Sequence, residues 1–299
     1  MKQTSRFSIS AVERDVGVSK DVLRVWERRY GFPLPERDPH GERLYPAEQV
    51  KRLHLVKRLM DQGYRPGRLL TSPLEDLEEL SAGHKATASA AAPEGADGLA
   101  DLIELIRKHD AAAYLHALQQ QLARQGLRNF VQDTVAPLAR QIGDAWEEGR
   151  LHVFEEHLFT ELTTRALRHA ISAVPGGRKP KVLLTTLPNE PHGMGLLMVE
   201  AMLSLESAQC ISLGTQMPLL EIVQAAAAHR ADVVALSFST VFPARQIPGL
   251  LQQLRAGLPR ATQLWAGGAG VRKVASLEGV LVLTALDDAV TAVSDWRGR

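Results

Sequence analysis

The pattern of apolar and polar positions divides the chain into three parts. The first consists of about 70 residues and a closing acidic helix, which is predicted for 74–80. A stretch rich in Ala, Gly and Ser follows it. From residue 99 to about residue 174, apolar residues recur at helical spacing without strand-like alternation. This spacing predicts a bundle of about four helices.

After the Pro- and Gly-rich segment 175–180, short apolar runs alternate with helical patterns. The runs predict five strands, at 182–187, 209–213, 233–237, 263–266 and 280–283. The intervals leave room for a crossover helix between consecutive strands, which is typical of a parallel, Rossmann-like sheet with helices on both faces. Ligands of such sheets bind beyond the C-terminal ends of the strands.

We therefore predict a multidomain protein. The predicted boundaries are 1–80 for an N-terminal domain, 81–98 for a flexible linker, 99–177 for the four-helix bundle and 178–299 for the α/β domain. The length of 299 residues agrees with two or three folded units.

Composition and charge narrow the class of protein. The sequence is 45% hydrophobic and 23% charged, which is ordinary for a globular protein, and it contains no apolar run of the ~20 residues that cross a membrane. Cys210 is the single cysteine, which excludes an internal disulfide and favours the reducing cytoplasm. Residues 1–70 carry a net charge of +6, while the whole chain carries +1, so the N-terminal part is expected to meet a polyanion.

The basic N-terminal part has a helix-turn-helix pattern. Two short helices are predicted around Gly17 and Val18, with Ser19 as the cap of the second helix. On that helix Lys20, Arg24 and Arg28 recur every four residues and share a face that fits a DNA major groove. Val22, Leu23 and Trp26 are expected to pack partly against the first helix.

This stretch resembles the MerR family of winged-helix regulators, through the segment 23–31, the prolines at 33 and 35, and the segment Gly-Glu-Arg-Leu-Tyr at 41–45. The resemblance implies binding of double-stranded operator DNA by a dimer or higher oligomer. It places Arg24 and Arg28 on the recognition helix, and His40, Arg43 and Tyr45 on a wing that touches the DNA backbone. No long dimerisation helix follows, so self-association is expected to rely on the other domains.

A loop after the first predicted strand of the α/β domain carries the candidate metal chemistry. It contains Glu190, His192, Gly193 and Gly195. An exposed imidazole is a plausible metal ligand, and a carboxylate two residues earlier can accept its second ring N–H. The two glycines are expected to let a bulky ligand approach the backbone.

The loop resembles the Asp/Glu-x-His-x-x-Gly loop of cobalamin-binding Rossmann-like domains. The resemblance extends to Ser237 and Ser239 after a later strand, and to Gly267 and Gly268 after the next one. It implies that His192 coordinates cobalt from the lower face, and that the nucleotide tail of the cofactor enters a crevice beside those four residues.

The bundle carries Trp146 followed, after nine residues, by Glu156 and His157. This spacing resembles the helical cap of adenosylcobalamin-dependent photoreceptor regulators of the CarH and LitR kind. The resemblance implies that Trp146 packs against the adenosyl group and that Glu156 and His157 hydrogen-bond near it. Glu147 stands where members of that family carry a second cobalt-ligating His. Three possibilities therefore remain for the upper face of the cobalt. His152 or His157 is the upper ligand, or the light-exposed state binds a water that the Glu147 carboxylate can contact, or the sensor does not use this photochemistry.

These patterns predict a cobalamin-dependent, light-responsive transcriptional repressor rather than an enzyme. Adenosylcobalamin between the bundle and the sheet is expected to promote homo-oligomerisation and DNA binding, and photolysis of its Co–C bond to release the DNA. The alternatives are a light-independent regulator that senses cobalamin or redox state, a corrinoid methyltransferase module, and a protein-binding scaffold without cofactor. The sequence leaves dimer and tetramer open.

Overall fold

The computed structural model describes residues 6–61, 64–82, 96–272 and 274–298, which fall into two compact units. One is the N-terminal domain, called the head below. The other contains the helical bundle and the sheet domain. None of the described helices is long and apolar enough to cross a membrane.

The head is a winged helix. Its elements are β1 (Arg6–Ser8), α1 (Ile9–Val16), α2 (Lys20–Tyr30), β2 (Glu36–Arg37), β3 (Arg43–Pro46), α3 (Ala47–Asp61), α4 (Pro66–Thr71) and α5 (Leu74–Ala82). The strands form an antiparallel sheet in the order β1-β3-β2. Ser19 caps α2 by accepting the N–H of Val22, and Gly17 ends α1 with a φ of 72°. The predicted helix-turn-helix is thus confirmed.

Two residues of α2 belong to the apolar core of the head. Leu23 and Trp26 are buried, as expected, but Val22 is 39% exposed. Val22 lies one helical turn before Trp26, at the border of the buried face, so most of the packing expected of these three residues falls to Leu23 and Trp26. The short helix α4 was not predicted at all, since six residues are too few to show a helical period.

The bundle consists of four helices with a distortion in the middle. They are α6 (Ala96–Arg107), α7 (Ala111–Asn129), α8 (Ala136–Glu147) and α9 (Val153–Ser172), and a π-helical segment, Phe130–Val135, joins α7 to α8. Gly126, with a φ of 72°, kinks α7. Of the predicted linker, residues 83–95 lie outside the described part of the chain.

The sheet domain has five parallel strands and alternating helices. Its elements are β4 (Arg178–Thr185), α10 (Met194–Leu205), β5 (Ala208–Ser212), α11 (Leu219–His229), β6 (Val233–Ser237), α12 (Ile247–Gly257), β7 (Gln263–Gly267), β8 (Val280–Leu283) and α13 (Leu286–Arg297). The strand order is β5-β4-β6-β7-β8. All five predicted strands are present. Between β7 and β8 the described residues form a 3-10 turn, Ala269–Val271, so the crossover α-helix expected there is wrong.

The bundle packs on one face of the sheet domain through α10 and α13. Leu197, Ala201 and Met202 of α10 are buried in the same apolar cluster as the bundle core. Arg128 of α7 also pairs with Glu206 at 2.7 Å and with Asp287 at 3.5 Å. The strand order reverses between β4 and β6, which places the expected ligand crevice at the carboxyl ends of these two strands.

Candidate functional site

The loop between β4 and α10 lies at that crevice and is fixed by hydrogen bonds. Thr186, directly after β4, donates its hydroxyl to the carbonyl of Glu190 at 2.5 Å and accepts the N–H of Gln216 at 2.8 Å. Glu190 is 1% exposed. The loop therefore presents a buried carboxylate in one defined position.

Both oxygens of the Glu190 carboxylate are used. Oε1 accepts the backbone N–H of His192 at 3.1 Å and lies 2.6 Å from His192 Nδ1, while Oε2 accepts the N–H and hydroxyl of Ser239 at 2.7 and 2.8 Å. Burial raises the pKa of Glu190, but the hydrogen bonds from His192 and Ser239 outweigh it and hold the pKa below its usual value. The carboxylate is therefore ionised at neutral pH and acts only as an acceptor.

His192 is oriented by Glu190 and open to solvent on its other side. Because an ionised carboxylate can only accept, Nδ1 must carry a proton, and the neutral ring then has its lone pair on Nε2. The side chain is 53% exposed. The hydrogen bond to Glu190 raises the pKa of His192 above its ordinary value, against the effect of burial, so Nε2 is a more basic ligand than a free imidazole.

The donor set at this loop fits a metal that brings most of its own ligands. Within the described ranges, no group of three or more His, Cys, Asp or Glu side chains is placed to hold an ion. A single imidazole with a hydrogen-bonded carboxylate behind it suits the one axial position that a macrocycle leaves to the protein. The residues present therefore fit the cobalt of a corrin.

Two glycines of the site bring neighbouring loops close together. A Cβ on Gly195 would lie 2.6 Å from Ser237 Oγ, and one on Gly193 would lie 3.2 Å from Thr215 Cγ2. The expectation that these glycines let a bulky ligand approach the backbone stays a prediction. They let the start of α10 approach the loops after β5 and β6, which brings Ser237 next to the His192 loop.

Gly267 and Gly268 close the far side of the same crevice. A Cβ on Gly268, whose φ is 93°, would clash with the backbone of Phe238, and Gly267 packs against Leu283. Gly270, which the sequence reasoning missed, approaches the carbonyl of Ser239 just as closely. The Gly-Gly-Ala-Gly run at 267–270 was the available signal. It anchors the backbone of Ser239 and, through Ser239, the Glu190 carboxylate.

One of the two predicted residues of α9 reaches towards the loop. Glu156 accepts the hydroxyl of Thr160 at 2.8 Å, and its charge contributes to the raised pKa of His192. The charge of Glu156, in the bundle, therefore acts on His192, in the sheet domain. His157 is largely exposed, 3.7 Å from Glu156, and Trp146 is half-buried near the end of α8.

The candidates for an upper ligand lie in separate surroundings. The His152 ring stacks on Phe154 with centroids 5.5 Å apart, just before α9, and the backbone N–H of His152 donates to Glu155 at 2.7 Å. The side chain of Glu147 lies outside the described part of the structure. Of the two predicted upper-site residues, only His152 has a described side chain, and its described contacts are with Phe154 and Glu155.

The predicted DNA-binding cations of α2 lie on its exposed side. Lys20 is 3.5 Å from Glu13, and Arg24 is 3.0 Å from Asp21. Arg28 is exposed. Ion pairs between exposed groups are weak, so these cations can turn to phosphates at little cost.

The three residues predicted for the wing, in the β2–β3 hairpin, differ in how exposed they are. His40 lies exposed at its tip, with its N–H donated to Asp38. Arg43 is held by Glu27 at 2.7 Å, and this hydrogen bond raises the pKa of Arg43. Tyr45 is fully buried, and its hydroxyl has no partner among the described residues. The prediction that Tyr45 touches DNA is therefore wrong for this conformation, because Tyr45 belongs to the core of the head.

Known proteins resemble each of these parts in the same order. The chain matches the MerR HTH family of regulatory proteins over residues 7–69 and B12 binding domains over residues 99–171 and 180–293. A monomethylamine corrinoid protein of Methanosarcina barkeri is similar in fold, with a TM-score of 0.54 at 15% identity over 68% of this chain and 100% of its own. These matches define a DNA-binding regulator with a cobalamin-binding module.

Two relatives match almost end to end. The HTH-type transcriptional repressor CarH of Myxococcus xanthus is 32% identical over 91% of each chain. The repressor CarA of the same organism is 29% identical over 89% of this chain and 87% of its own. The chain therefore belongs to the family of MerR-type transcriptional repressors that carry B12-binding domains.

Proposed function

We propose that the chain is a light-responsive repressor that uses adenosylcobalamin as its sensor. In the dark, the loaded protein self-associates and binds its operator, and light releases the DNA. The observation that carries the proposal is the Glu190–His192 pair, which presents a basic, correctly oriented Nε2 at the carboxyl edge of the sheet.

His192 would hold the cobalt from below, and Glu190 and Ser239 would keep its ring in place. The tail of the cofactor would lie in the crevice beside Ser237 and Gly268. Adenosylcobalamin supplies a cobalt–carbon bond that green light cleaves. On the bundle side, Trp146, Glu156 and His157 would contact the adenosyl group, and the position of the bundle would depend on that contact.

Self-association would couple this change to DNA. Among the described residues of the head there is no long dimerisation helix, since α3 has 15 residues and α4 and α5 are shorter. A single head with few base contacts binds DNA weakly. When two or more heads belong to one assembly, binding of the first head raises the effective concentration of the others near the DNA, so the assembly binds more tightly. The oligomer would therefore set the affinity for the operator.

The test compares the loaded protein in the dark and after green light. Binding to operator DNA and the mass of the assembly are measured on the same sample, with the His192→Ala variant beside it. We expect tight binding and an oligomer in the dark, loss of both after light, and no tight cobalamin binding by His192→Ala. His229→Ala, which changes an exposed histidine of α11, serves as the matched control. Equal DNA affinity in dark and light would refute the light switch.

Glu147 favours one alternative within the same family. A carboxylate directly after Trp146 cannot take the role of a second imidazole on cobalt, and it suits a state with water above the metal. A regulator that responds to the presence or redox state of cobalamin would bind DNA with the same affinity in the dark and in light, yet only when loaded. The same experiment therefore separates the two functions.

A further inference from the structure

The solvent-facing side of α2 displays two valines that the core of the head does not use. Val22 is 39% and Val25 is 41% exposed, and neither belongs to the apolar cluster formed by Leu23 and Trp26. A β-branched residue lowers helix propensity, and on an exposed surface it gains nothing from burial. An 11-residue helix that carries two such residues among its cations calls for a reason beyond stability.

The position of Val25 on the helix separates it from Val22. Residues three and four apart share a helix face, so Val25 is grouped with Asp21 and Arg28, both exposed. Val22, in contrast, lies one turn before the buried Trp26 and therefore at the border of the core. Val25 occupies the middle of the surface that also presents Arg24 and Arg28.

We infer that Val25 reads the C5-methyl group of a thymine in the operator. In the major groove, thymine differs from the other bases by this methyl group, and apolar side chains recognise it by direct contact. Cations on either side of Val25 can bind phosphates and guanine edges, but they cannot detect a methyl group. The inference rests on α2 being the helix that enters the groove.

Uracil in place of thymine tests this directly, because it removes only the methyl group. The full chain, loaded with adenosylcobalamin in the dark, is first used to select its preferred DNA from a random pool. Each thymine of the selected site is then replaced singly by uracil, and affinities are measured at one salt concentration. We expect one position in each half-site at which uracil weakens binding about fourfold, the value of one buried methyl group.

Two matched variants assign the contact. Val25→Ala is expected to bind the thymine and uracil forms of that position equally, with the affinity of the wild type for uracil. Val22→Ala removes the same atoms from the same helix and is expected to keep the fourfold difference. Circular dichroism checks the fold, which an exposed Val→Ala change in a helix does not disturb.

The outcomes that overturn the inference are distinct. A wild-type protein that prefers one DNA sequence yet shows no effect of uracil at any position would refute thymine reading and leave operator binding intact. Loss of the uracil effect in Val22→Ala but not in Val25→Ala would refute the assignment to Val25. A chain that selected no DNA sequence would refute operator recognition itself, and the inference with it.

Discussion

Ser239 donates two hydrogen bonds to one oxygen of Glu190, from its N–H at 2.7 Å and from its hydroxyl at 2.8 Å. The other oxygen of Glu190 accepts from His192. One buried carboxylate thus joins the loop after β4 to the loop after β6, on the two sides of the point where the strand order reverses. The orientation of the His192 ring therefore depends on a residue 47 positions later in the chain.

The first prediction concerns this carboxylate. In Glu190→Gln, the amide can accept at only one of its two terminal atoms, so either His192 or Ser239 loses its acceptor and the ring is held less firmly. We expect cobalamin to bind about 10- to 100-fold more weakly, which is the usual effect of removing a partner behind a metal-ligating histidine. An absorbance titration measures the affinity. Glu221→Gln, at an exposed position of α11, is the control, and equal affinities of the two variants would contradict the prediction.

The second prediction concerns the contact of Gly195 with Ser237. Gly195→Ala places a Cβ 2.6 Å from Ser237 Oγ, so the variant is expected to lose about 1–3 kcal/mol of unfolding free energy through overpacking. Ser237→Ala in the same chain removes that oxygen and should recover most of the loss. Chemical denaturation of the cofactor-free protein provides the measurement.

Gly249 supplies the matched control for this glycine. It lies within α12, where an added Cβ would meet nothing within 4 Å. Gly249→Ala should therefore stabilise the protein by about 0.5–1 kcal/mol, because alanine has the higher helix propensity. A similar loss in both variants would mean that the Ser237 contact is not the cause.

The third prediction compares two fully buried tyrosines. The hydroxyl of Tyr45 has no partner among the described residues, whereas that of Tyr114 lies 2.8 Å from Thr163 Oγ1. Tyr45→Phe should leave the unfolding free energy unchanged or raise it, since a buried unpaired hydroxyl costs about 1–3 kcal/mol. Tyr114→Phe should lower it by about 1 kcal/mol, because it breaks a hydrogen bond and leaves Thr163 unpaired.

DNA binding by Tyr45→Phe tests whether Tyr45 stays in the core of the head or contacts DNA. If Tyr45 stays in the core, the variant binds operator DNA as the wild type does. A loss of affinity with no change in stability would show that the hydroxyl turns out to the DNA backbone.

The sequence was informative where a pattern is local. The spacing of the apolar residues and the turn residues between them located the strands from β4 to β8. Ser19 and Gly17 defined the start of α2 and the turn before it. The Glu190 to Gly195 segment also lies in the loop after β4, as expected, because the strand and helix patterns on either side of it are local. The burial of Tyr45 and the exposure of Val22 depend on how distant elements pack, and no short-range pattern encodes that packing.

The glycines illustrate the same limit within the site. A glycine in a loop indicates that something approaches its backbone, but not what approaches. Gly193 and Gly195 were expected to admit a ligand, and the fold adds Thr215 and Ser237 as close neighbours, which the sequence does not indicate. Thr186 and Gly270 were missed because their partners, Glu190 and Ser239, are identified only by the fold.

The last prediction uses the one cysteine as a probe of the sheet domain. Cys210 lies in β5, and burial, with the nearby charge of Glu200, raises the pKa of its thiol from 9.0 to about 12. Only the thiolate reacts with iodoacetamide, so at pH 8 the folded protein should be alkylated about a thousandfold more slowly than the unfolded chain.

The same shift gives a pH dependence of stability with a defined sign. Between pH 9 and pH 12 the unfolded thiol loses its proton while the folded one keeps it, so the unfolded state binds fewer protons and stability falls as the pH rises. Cys210→Ser removes this contribution, because a serine hydroxyl does not titrate in that range. Denaturation curves at pH 8 and pH 10.5 for both proteins measure it, and an equal loss of stability in the two would place the alkaline sensitivity on other groups.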